Sequence, residues 1–268
     1  MFKAITRGQN PLWHPGPDDV ARRWSIARLG VYREREKALQ PSLRGGFHES
    51  VMVSSWGLRW LAQQEGARMT RLMIRDFVVL KSHLDPAAQA GLIEALRPVL
   101  KAAPPFSPQT PSGKKMSVRM TSAGALGWIS DRTGYRYAPQ HPGGQDWPAI
   151  PDPVLRLWAE VTGLERRPDC CLINYYGEGA RMGLHQDKDE ADFSWPVVSV
   201  SLGDDGLFRI GNPTRGGRTE SVWLSSGDVV VMGGPARLSY HGVDRIRYKS
   251  SRLLPRGGRL NLTLRVVT

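Results

Sequence analysis

The chain contains 268 residues, 40% of them hydrophobic and 23% charged, which suffices for one sizeable domain with its own core but not for two large domains. Lys and Arg outnumber Asp and Glu by 37 to 25, and the net charge of +12 suits a polyanionic partner such as nucleic acid, although arginine enrichment alone would account for it equally well. The adjacent cysteines Cys170 and Cys171 exclude a zinc knuckle and a disulfide framework, and no signal peptide or apolar span stands out, so we expect a cytoplasmic protein without membrane association.

The N-terminal quarter of the chain shows no sustained hydrophobic period, and no fold can be assigned to it. A regular pattern of strand and helix begins just after Met69. We therefore divide the chain into an N-terminal extension, residues 1–68, and a single domain, residues 69–268. One hypothesis is that the extension is disordered or precedes the natural start of the protein.

The domain opens with a predicted strand and a predicted helix. Residues 74–80 are rich in apolar side chains and predict the strand. Asp85 followed by Pro86 is a typical helix start, because aspartate caps the first turn and proline fits the first helical position. Apolar residues then recur at helical spacing, and Pro98 is expected to limit the far end of this helix.

A second helix is predicted to begin at Asp152 and to end at Gly163, since glycine favours the helix C-terminus. Short strands separated by glycine-rich turns then follow, at residues 171–176, 196–202, 207–210, 220–224, 228–232, 236–241 and 259–267. This order predicts a mostly β fold with flanking helices, in which an antiparallel sandwich or barrel has helices against one side.

The last predicted strand separates polar from apolar side chains. Alternation places on one face the polar residues Arg259, Asn261, Thr263 and Arg265, and on the other the apolar residues Leu260, Leu262, Leu264 and Val266. If the apolar face packs against helices, the polar face lines a cavity, and two arginines in a cavity call for an anionic ligand. The alternative is an edge strand whose polar face is solvated.

The stretch GLHQDKDE, residues 183–190, suggests a metal site. His185 and Asp187 are two residues apart, so in an extended segment both side chains project to the same side. They supply two of the three ligands of a mononuclear Fe(II) site, which needs a second histidine. His-x-Asp is common by chance, and a lone histidine is more often structural. Only His241 follows the strands in a position from which the fold could return it to His185.

An Fe(II) ion with three open positions, beside an arginine-lined pocket, suits an oxoacid cosubstrate such as 2-oxoglutarate, whose far carboxylate would meet a guanidinium group. Signatures of other chemistries are absent from the sequence: it has no G-x-S-x-G elbow, no P-loop, no Cys-x-x-Cys pair and no G-x-G-x-x-G after a strand.

Five segments together carry a family resemblance: CLINYYGEGARMGLHQDKDE, VVSVSLG, GDVVVMGG, RLSYHGV and RLNLTLR. From about Met69 to the C-terminus the chain resembles the AlkB family of Fe(II)- and 2-oxoglutarate-dependent nucleic-acid dealkylases, in its bacterial DNA-repair branch. The resemblance implies a double-stranded β-helix, or jelly roll, as the core. It also implies oxidative demethylation of bases such as 1-methyladenine and 3-methylcytosine in DNA, with O2 consumed and formaldehyde, succinate and CO2 released.

The resemblance also assigns residues to roles. The catalytic metal ligands would be His185, Asp187 and His241, and 2-oxoglutarate would be bound by Asn174, Tyr176, Arg259, Asn261 and Arg265. Trp128 and Tyr135 would belong to a nucleotide-recognition lid, with Met120 and Tyr137 near the base or phosphate and Arg215 at another substrate position.

The acidic residues that follow the His185 and Asp187 pair suit a cationic substrate. A base methylated at these positions is positively charged, and Asp189 and Glu190 are placed to supply a carboxylate beside aromatic faces. For Trp128 and Tyr135 a buried core role is the alternative, but the neighbouring glycines favour mobile loop positions.

Two further functions stay open at this point. One is an Fe(II)/2-oxoglutarate hydroxylase or demethylase that acts on a protein or a small molecule. The other is a non-catalytic nucleic-acid-binding module with a vestigial metal site, against which the complete ligand set argues. For the leading function we expect a monomer that acts on alkylated DNA, favours single strands and accepts RNA as a second substrate.

Overall fold

A computed structural model of the chain describes residues 70–268. The sequence-based division that sets residues 1–68 apart, as a disordered extension or one preceding the natural start, therefore lies outside the described residues. In the part that is described, neither helix is long and apolar enough to cross a membrane.

The described residues form thirteen strands, two α-helices and one 3₁₀-helix. The strands are β1 (Thr70–Ile74), β2 (Phe77–Lys81), β3 (Arg119–Gly124), β4 (Gly127–Asp131), β5 (Gly134–Ala138), β6 (Cys170–Tyr176), β7 (Met182–His185), β8 (Val197–Gly203), β9 (Asp205–Ile210), β10 (Glu220–Leu224), β11 (Val229–Met232), β12 (His241–Arg247) and β13 (Arg259–Arg265). The helices are α1 (Pro86–Ala102) and α2 (Asp152–Thr162), and the 3₁₀-helix is Gly234–Ala236.

The strands build two antiparallel sheets and a hairpin. The larger sheet has seven strands in the order β1-β2-β11-β8-β13-β6-β3, the smaller has four in the order β10-β9-β12-β7, and β4 pairs with β5 alone. Buried side chains of both sheets form one core, to which Phe77 and Val230 contribute from the larger sheet and Phe208 and Val243 from the smaller. This architecture confirms the mostly β fold with flanking helices and a jelly-roll core.

Both predicted helices are present. The Asp85 carboxylate caps α1 by accepting a hydrogen bond from the Ala88 amide at 2.7 Å. α2 ends at Gly163, whose φ of 68° is left-handed. The prediction that Pro98 limits α1 was wrong, because the helix continues to Ala102. Pro98 removes one backbone hydrogen bond, and burial of the apolar face of α1 on both sides of it outweighs that loss.

Two predicted strands differ from the structure. Residues 74–80 do not form one strand: they span the end of β1, a two-residue turn and most of β2, and the turn residues Arg75 and Asp76 have the positive φ values, 45° and 66°, that such a tight hairpin turn requires. Residues 236–241 are not a strand either. Gly234 has a φ of 55° and starts the 3₁₀-helix, so that β12 begins only at His241. The sequence analysis also missed β3, β4, β5 and β7 and all but one residue each of β1 and β12.

β13 lies at the centre of the larger sheet, between β8 and β6, and all seven of its residues are buried. The alternative of a solvated edge strand was therefore wrong. In the register with β6, Arg259 lies opposite Tyr176, Asn261 opposite Asn174 and Arg265 opposite Cys170. The two free cysteines, Cys170 and Cys171, are fully buried and project to opposite faces of β6.

The loop that leads into β13 is anchored by Asp204, whose side chain is fully buried. One carboxylate oxygen accepts a hydrogen bond from the Ser251 amide at 2.9 Å, and the other accepts from the amides of Lys249 at 2.8 Å and Gly258 at 2.6 Å. One side chain thus replaces the strand pairing that these backbone groups lack, and it fixes the start of β13.

We expect Asp204→Asn to lower the free energy of unfolding by about 2–4 kcal/mol, because the neutral amide presents one acceptor oxygen to three backbone N–H donors. Urea denaturation of the metal-free protein measures the change. Asp146→Asn is the matched control, since Asp146 is exposed and accepts only a side-chain hydrogen bond, from Gln140. Equal stabilities of the two variants would contradict the anchoring role.

Candidate active site

The structure brings the two predicted histidines and the predicted aspartate together. His185, at the end of β7, lies directly opposite His241, at the start of β12. The Nε2 atom of His185 is 3.6 Å from Oδ1 of Asp187, and the Nε2 atom of His241 is 3.7 Å from Oδ2. One ligand atom from each residue lies within 4.8 Å of the others, close enough for all three to bind a single ion.

Local hydrogen bonds orient both imidazoles for metal binding. The Nδ1 atoms of His185 and His241 each lie 3.0 Å from the carbonyl oxygen two residues earlier, Gly183 and Ser239 respectively, so Nδ1 donates and Nε2 keeps its lone pair. Burial lowers the pKa of His241 to about 4, so this ring is neutral near pH 7.

Asp187 supplies the anionic ligand. Its burial raises the pKa of the carboxyl group, but the nearby Arg265 guanidinium opposes this most strongly, and the pKa lies well below its usual range. Two imidazole nitrogens and one carboxylate form the donor set that non-haem Fe(II) takes with part of its coordination sphere left open. The three residues therefore fit a ferrous ion.

The cluster lies in a cavity of about 920 Å³ between the two sheets. Its wall includes four of the residues predicted to bind 2-oxoglutarate, Asn174, Tyr176, Asn261 and Arg265. Residues predicted to bind substrate also line it, namely Met120, Trp128, Tyr135, Asp189, Glu190 and Arg215. The fifth predicted cosubstrate ligand, Arg259, does not line the cavity but lies beside it, opposite Tyr176.

Arg259 is a buried cation without a carboxylate partner. It is 1% exposed, and it donates to the Ser201 hydroxyl at 2.7 Å and to two backbone carbonyls at 3.2 and 3.4 Å. No carboxylate oxygen of residues 70–268 lies within 4.0 Å of it, and burial lowers the pKa of its guanidinium. Its Nε atom is also buried and donates no hydrogen bond to the described residues. This buried cation fits a carboxylate group of a small dicarboxylate.

Arg265 and Glu190 belong to a buried ionic network. Arg265 approaches Asp187 at 2.8 Å through Nη2 and Glu190 at 3.4 Å through Nε. The other oxygen of Glu190 is 3.0 Å from Nη2 of Arg237. Tyr137 does not line the cavity, but its hydroxyl donates to Glu190 at 2.5 Å. Both oxygens of Glu190 therefore have partners inside the protein, and Tyr137 supports Glu190 instead of facing a base or phosphate.

Arg237 is the site residue that the sequence analysis missed. It is 3% exposed and donates to the backbone carbonyls of Asp187 and Trp195 as well as to Glu190. The feature of the sequence that could have identified Arg237 is its position four residues before His241. The sequence analysis predicted a strand there instead.

Trp128 and Tyr135 lie on strands and not in loops, and Trp128 is partly buried against the core. They lie on β4 and β5 at the cavity mouth, with their rings stacked at 5.7 Å and 15°. Tyr135 is 48% exposed, and the Trp128 indole donates to the Asp189 carboxylate at 2.9 Å. Gly127 and Gly134 begin these two strands instead of marking mobile loops. An aromatic surface and an exposed carboxylate thus stand together at the mouth.

Comparisons with known proteins agree with this geometry. Residues 76–265 match the model of the 2OG-Fe(II) oxygenase superfamily. The chain is 52% identical over 194 residues to the "Alpha-ketoglutarate-dependent dioxygenase AlkB homolog" of Caulobacter vibrioides, covering 72% of this chain and 88% of that protein. It is 42% identical over 175 residues to the "Alpha-ketoglutarate-dependent dioxygenase AlkB" of Escherichia coli, covering 63% and 81% respectively. The solved structure of OsALKBH1 superposes with a TM-score of 0.61 at 31% identity, over 74% of this chain and all of that one.

We expect Asp187→Asn to weaken Mn(II) binding by about 100-fold or more, because the site loses its anionic ligand. The free Mn(II) signal in electron paramagnetic resonance titrations of metal-free protein reports the affinity. Asp189→Asn is the matched control: Asp189 is the same residue type two positions along, but it is exposed and bonded to Trp128. Mn(II) affinities that fall alike in the two variants would contradict the assignment of Asp187.

Proposed function

The chain belongs to the 2OG-Fe(II) oxygenase superfamily and, within it, to the AlkB family, and on that premise we propose that it repairs DNA by oxidative demethylation of N-alkylated bases of the 1-methyladenine and 3-methylcytosine type. One observation carries the proposal. The His185, Asp187 and His241 cluster shares a single cavity with an aromatic surface, Trp128, and an exposed carboxylate, Asp189. The cavity can thus hold a flat cationic ring beside a metal.

The chain's own residues would hold the reactants. His185, Asp187 and His241 would bind Fe(II), and the residues that would bind 2-oxoglutarate are Asn174, Tyr176, Arg259, Asn261 and Arg265. When bound, Fe(II), 2-oxoglutarate and O2 supply the chemistry that hydroxylates the N-methyl group, which then leaves as formaldehyde, with succinate and CO2 as the other products. Buried apolar residues such as Phe208 pack against His241 and exclude water from that side of the cluster, whereas the His185 side chain is partly exposed.

Recognition of the lesion follows from charge. Methylation at the pairing edge makes the base a cation, which the indole face of Trp128 and the carboxylate of Asp189 stabilise more than they stabilise a neutral base. Glu190 adds little attraction, because Arg237 and Arg265 already neutralise it. The exposed Arg215 at the mouth, with the net charge of +12, favours the phosphates of the strand that carries the base.

Finer features of this function are also part of the proposal. A damaged base must leave the stack to enter the cavity, so single-stranded DNA costs less to bind than duplex, and RNA is the second substrate. A monomeric state and a cytoplasmic location stay predictions from the sequence.

The direct test incubates the protein with Fe(II), 2-oxoglutarate and a single-stranded oligonucleotide that carries one 1-methyladenine or 3-methylcytosine. Mass spectrometry should show loss of one methylene, and His185→Ala should abolish that loss. If methylated oligonucleotides yield no formaldehyde, but the protein consumes 2-oxoglutarate in the presence of a protein or small-molecule substrate, then the substrate is not a nucleic acid and the alternative function is correct.

We expect Trp128→Ala to lower kcat/KM for the methylated oligonucleotide by about 10- to 100-fold, because a base loses its stacking surface. Binding of 2-oxoglutarate should be unchanged. The control is Trp223→Ala: Trp223 lies on β10, with the Arg247 guanidinium 4.4 Å from its ring centroid. Full turnover by Trp128→Ala would favour a substrate other than a nucleobase.

Arg259→Met should weaken 2-oxoglutarate binding by about 30-fold or more, since the far carboxylate would lose a buried cationic partner. Isothermal titration calorimetry with Mn(II) in place of Fe(II) measures the cosubstrate affinity without turnover. Mn(II) affinity alone should stay at the wild-type value, because Arg259 does not contact the metal ligands. Loss of both affinities would contradict this division of roles.

A further inference from the structure

The segment that carries the metal ligand Asp187 has almost no strand pairing. β7 has four residues and pairs with β12 only at His185 opposite His241 and at Met182 opposite Val243. Asp187 lies two residues beyond the end of β7, and the next strand begins at Val197. Strand hydrogen bonds therefore hold the two histidines in place but leave the position of the aspartate to other contacts.

Arg265 binds the Asp187 carboxylate and the Gln186 side chain donates to two backbone carbonyls, but Arg237 is the side chain that holds the backbone of the segment at several points. Its Nη1 donates to the Asp187 carbonyl at 2.6 Å, its Nη2 to the Glu190 carboxylate at 3.0 Å and its Nε to the Trp195 carbonyl at 2.9 Å. One planar guanidinium thus fixes the segment at its start, middle and end. The Phe193 ring, whose centroid is 5.3 Å from the guanidinium carbon, covers the same group.

The same arginine belongs to the segment of the opposite metal ligand. It directly follows the 3₁₀-helix, whose Ala236 carbonyl accepts the Ser239 amide at 3.0 Å. The Ser239 carbonyl in turn orients His241. Arg237 therefore connects the backbone that bears Asp187 to the short stretch that sets the His241 ring.

We propose that Arg237 is a positioning residue that holds the Asp187 ligand in register with His185 and His241. It acts through the Asp187 backbone carbonyl and not only by neutralising Glu190. Lysine cannot replace it fully, because a single ammonium group cannot reach three acceptors in fixed directions. The inference rests on the proposed function only in that the His185, Asp187 and His241 cluster binds a metal.

The first measurement is Mn(II) affinity of the metal-free protein, followed by electron paramagnetic resonance. Arg237→Met should raise the dissociation constant by about 10- to 100-fold, the range typical of groups that orient metal ligands, and Arg237→Lys should give an intermediate value. The control is Arg119→Met, since Arg119 is exposed and donates to the Pro105 carbonyl away from the cluster. That variant should bind Mn(II) as the wild type does.

A second comparison tests whether Arg237 acts by positioning Asp187, and not by stabilising the fold or by balancing the charge of Glu190. Removing Arg237 leaves Glu190 without one of its cations, which by itself could destabilise the protein. Glu190→Gln is therefore combined with Arg237→Met and compared with Glu190→Gln alone, so that residue 190 is uncharged in both proteins. If Arg237 acts through the Asp187 carbonyl, the double variant binds Mn(II) about 10-fold more weakly than the single variant or worse. Its thermal unfolding shows whether the fold is kept.

The outcomes are distinct. The inference is overturned if Arg237→Met binds Mn(II) with wild-type affinity. It is also overturned if Glu190→Gln and the double variant bind Mn(II) equally well, because Arg237 would then act only as a counter-ion of Glu190. Metal binding by the wild type without demethylation of methylated oligonucleotides overturns the proposed function and leaves the role of Arg237 standing. A wild-type protein that binds no Mn(II) overturns both.

Discussion

The placement of charge inside the jelly roll governs the rest of the structure. Arg237, Arg259 and Arg265 are buried, and among the described residues the carboxylates within ion-pair distance of them are Asp187 and Glu190. A protein interior tolerates ions only when they are paired and hydrogen-bonded. Arg237 and Arg265 meet this condition within the protein. Arg259 has hydrogen bonds but no counter-ion among the described residues, so the fold keeps a place for an anion from outside.

The jelly roll makes this arrangement possible because its paired strands bring together residues that are far apart in sequence. β7 and β12 are far apart in sequence yet bring the His185 and His241 rings to a centroid distance of 4.6 Å, and the two backbones approach closely. A Cβ atom on Gly242 would lie 2.6 Å from the Met182 carbonyl and 2.7 Å from the Gly183 carbonyl. β13, buried between two neighbours, presents its polar side chains to the cavity on one face and apolar side chains on the other. Asp204 fixes where that strand begins.

The sequence predicted those parts of the site that follow from local periodicity. Alternation along residues 259–267 identified the polar face of β13, and the spacing of His185 and Asp187 placed both on one side of the chain. Family resemblance supplied the remaining roles. The long-range partners were beyond such reasoning. Nothing near Glu190 shows that it turns inward to meet two arginines, and nothing near Arg237 shows that it reaches back to the Asp187 carbonyl. The β4–β5 hairpin was missed because its strands are short and polar.

The position of Cys170 affects how readily its thiol is oxidised. Its thiol lies on the cavity side of β6, opposite Arg265 in the sheet register. Oxidation of a cysteine proceeds through the thiolate, and burial raises the pKa of Cys170 to about 11, so the group stays protonated at neutral pH. Cys170 is thereby kept in the thiol form, which is less prone to oxidation than the thiolate.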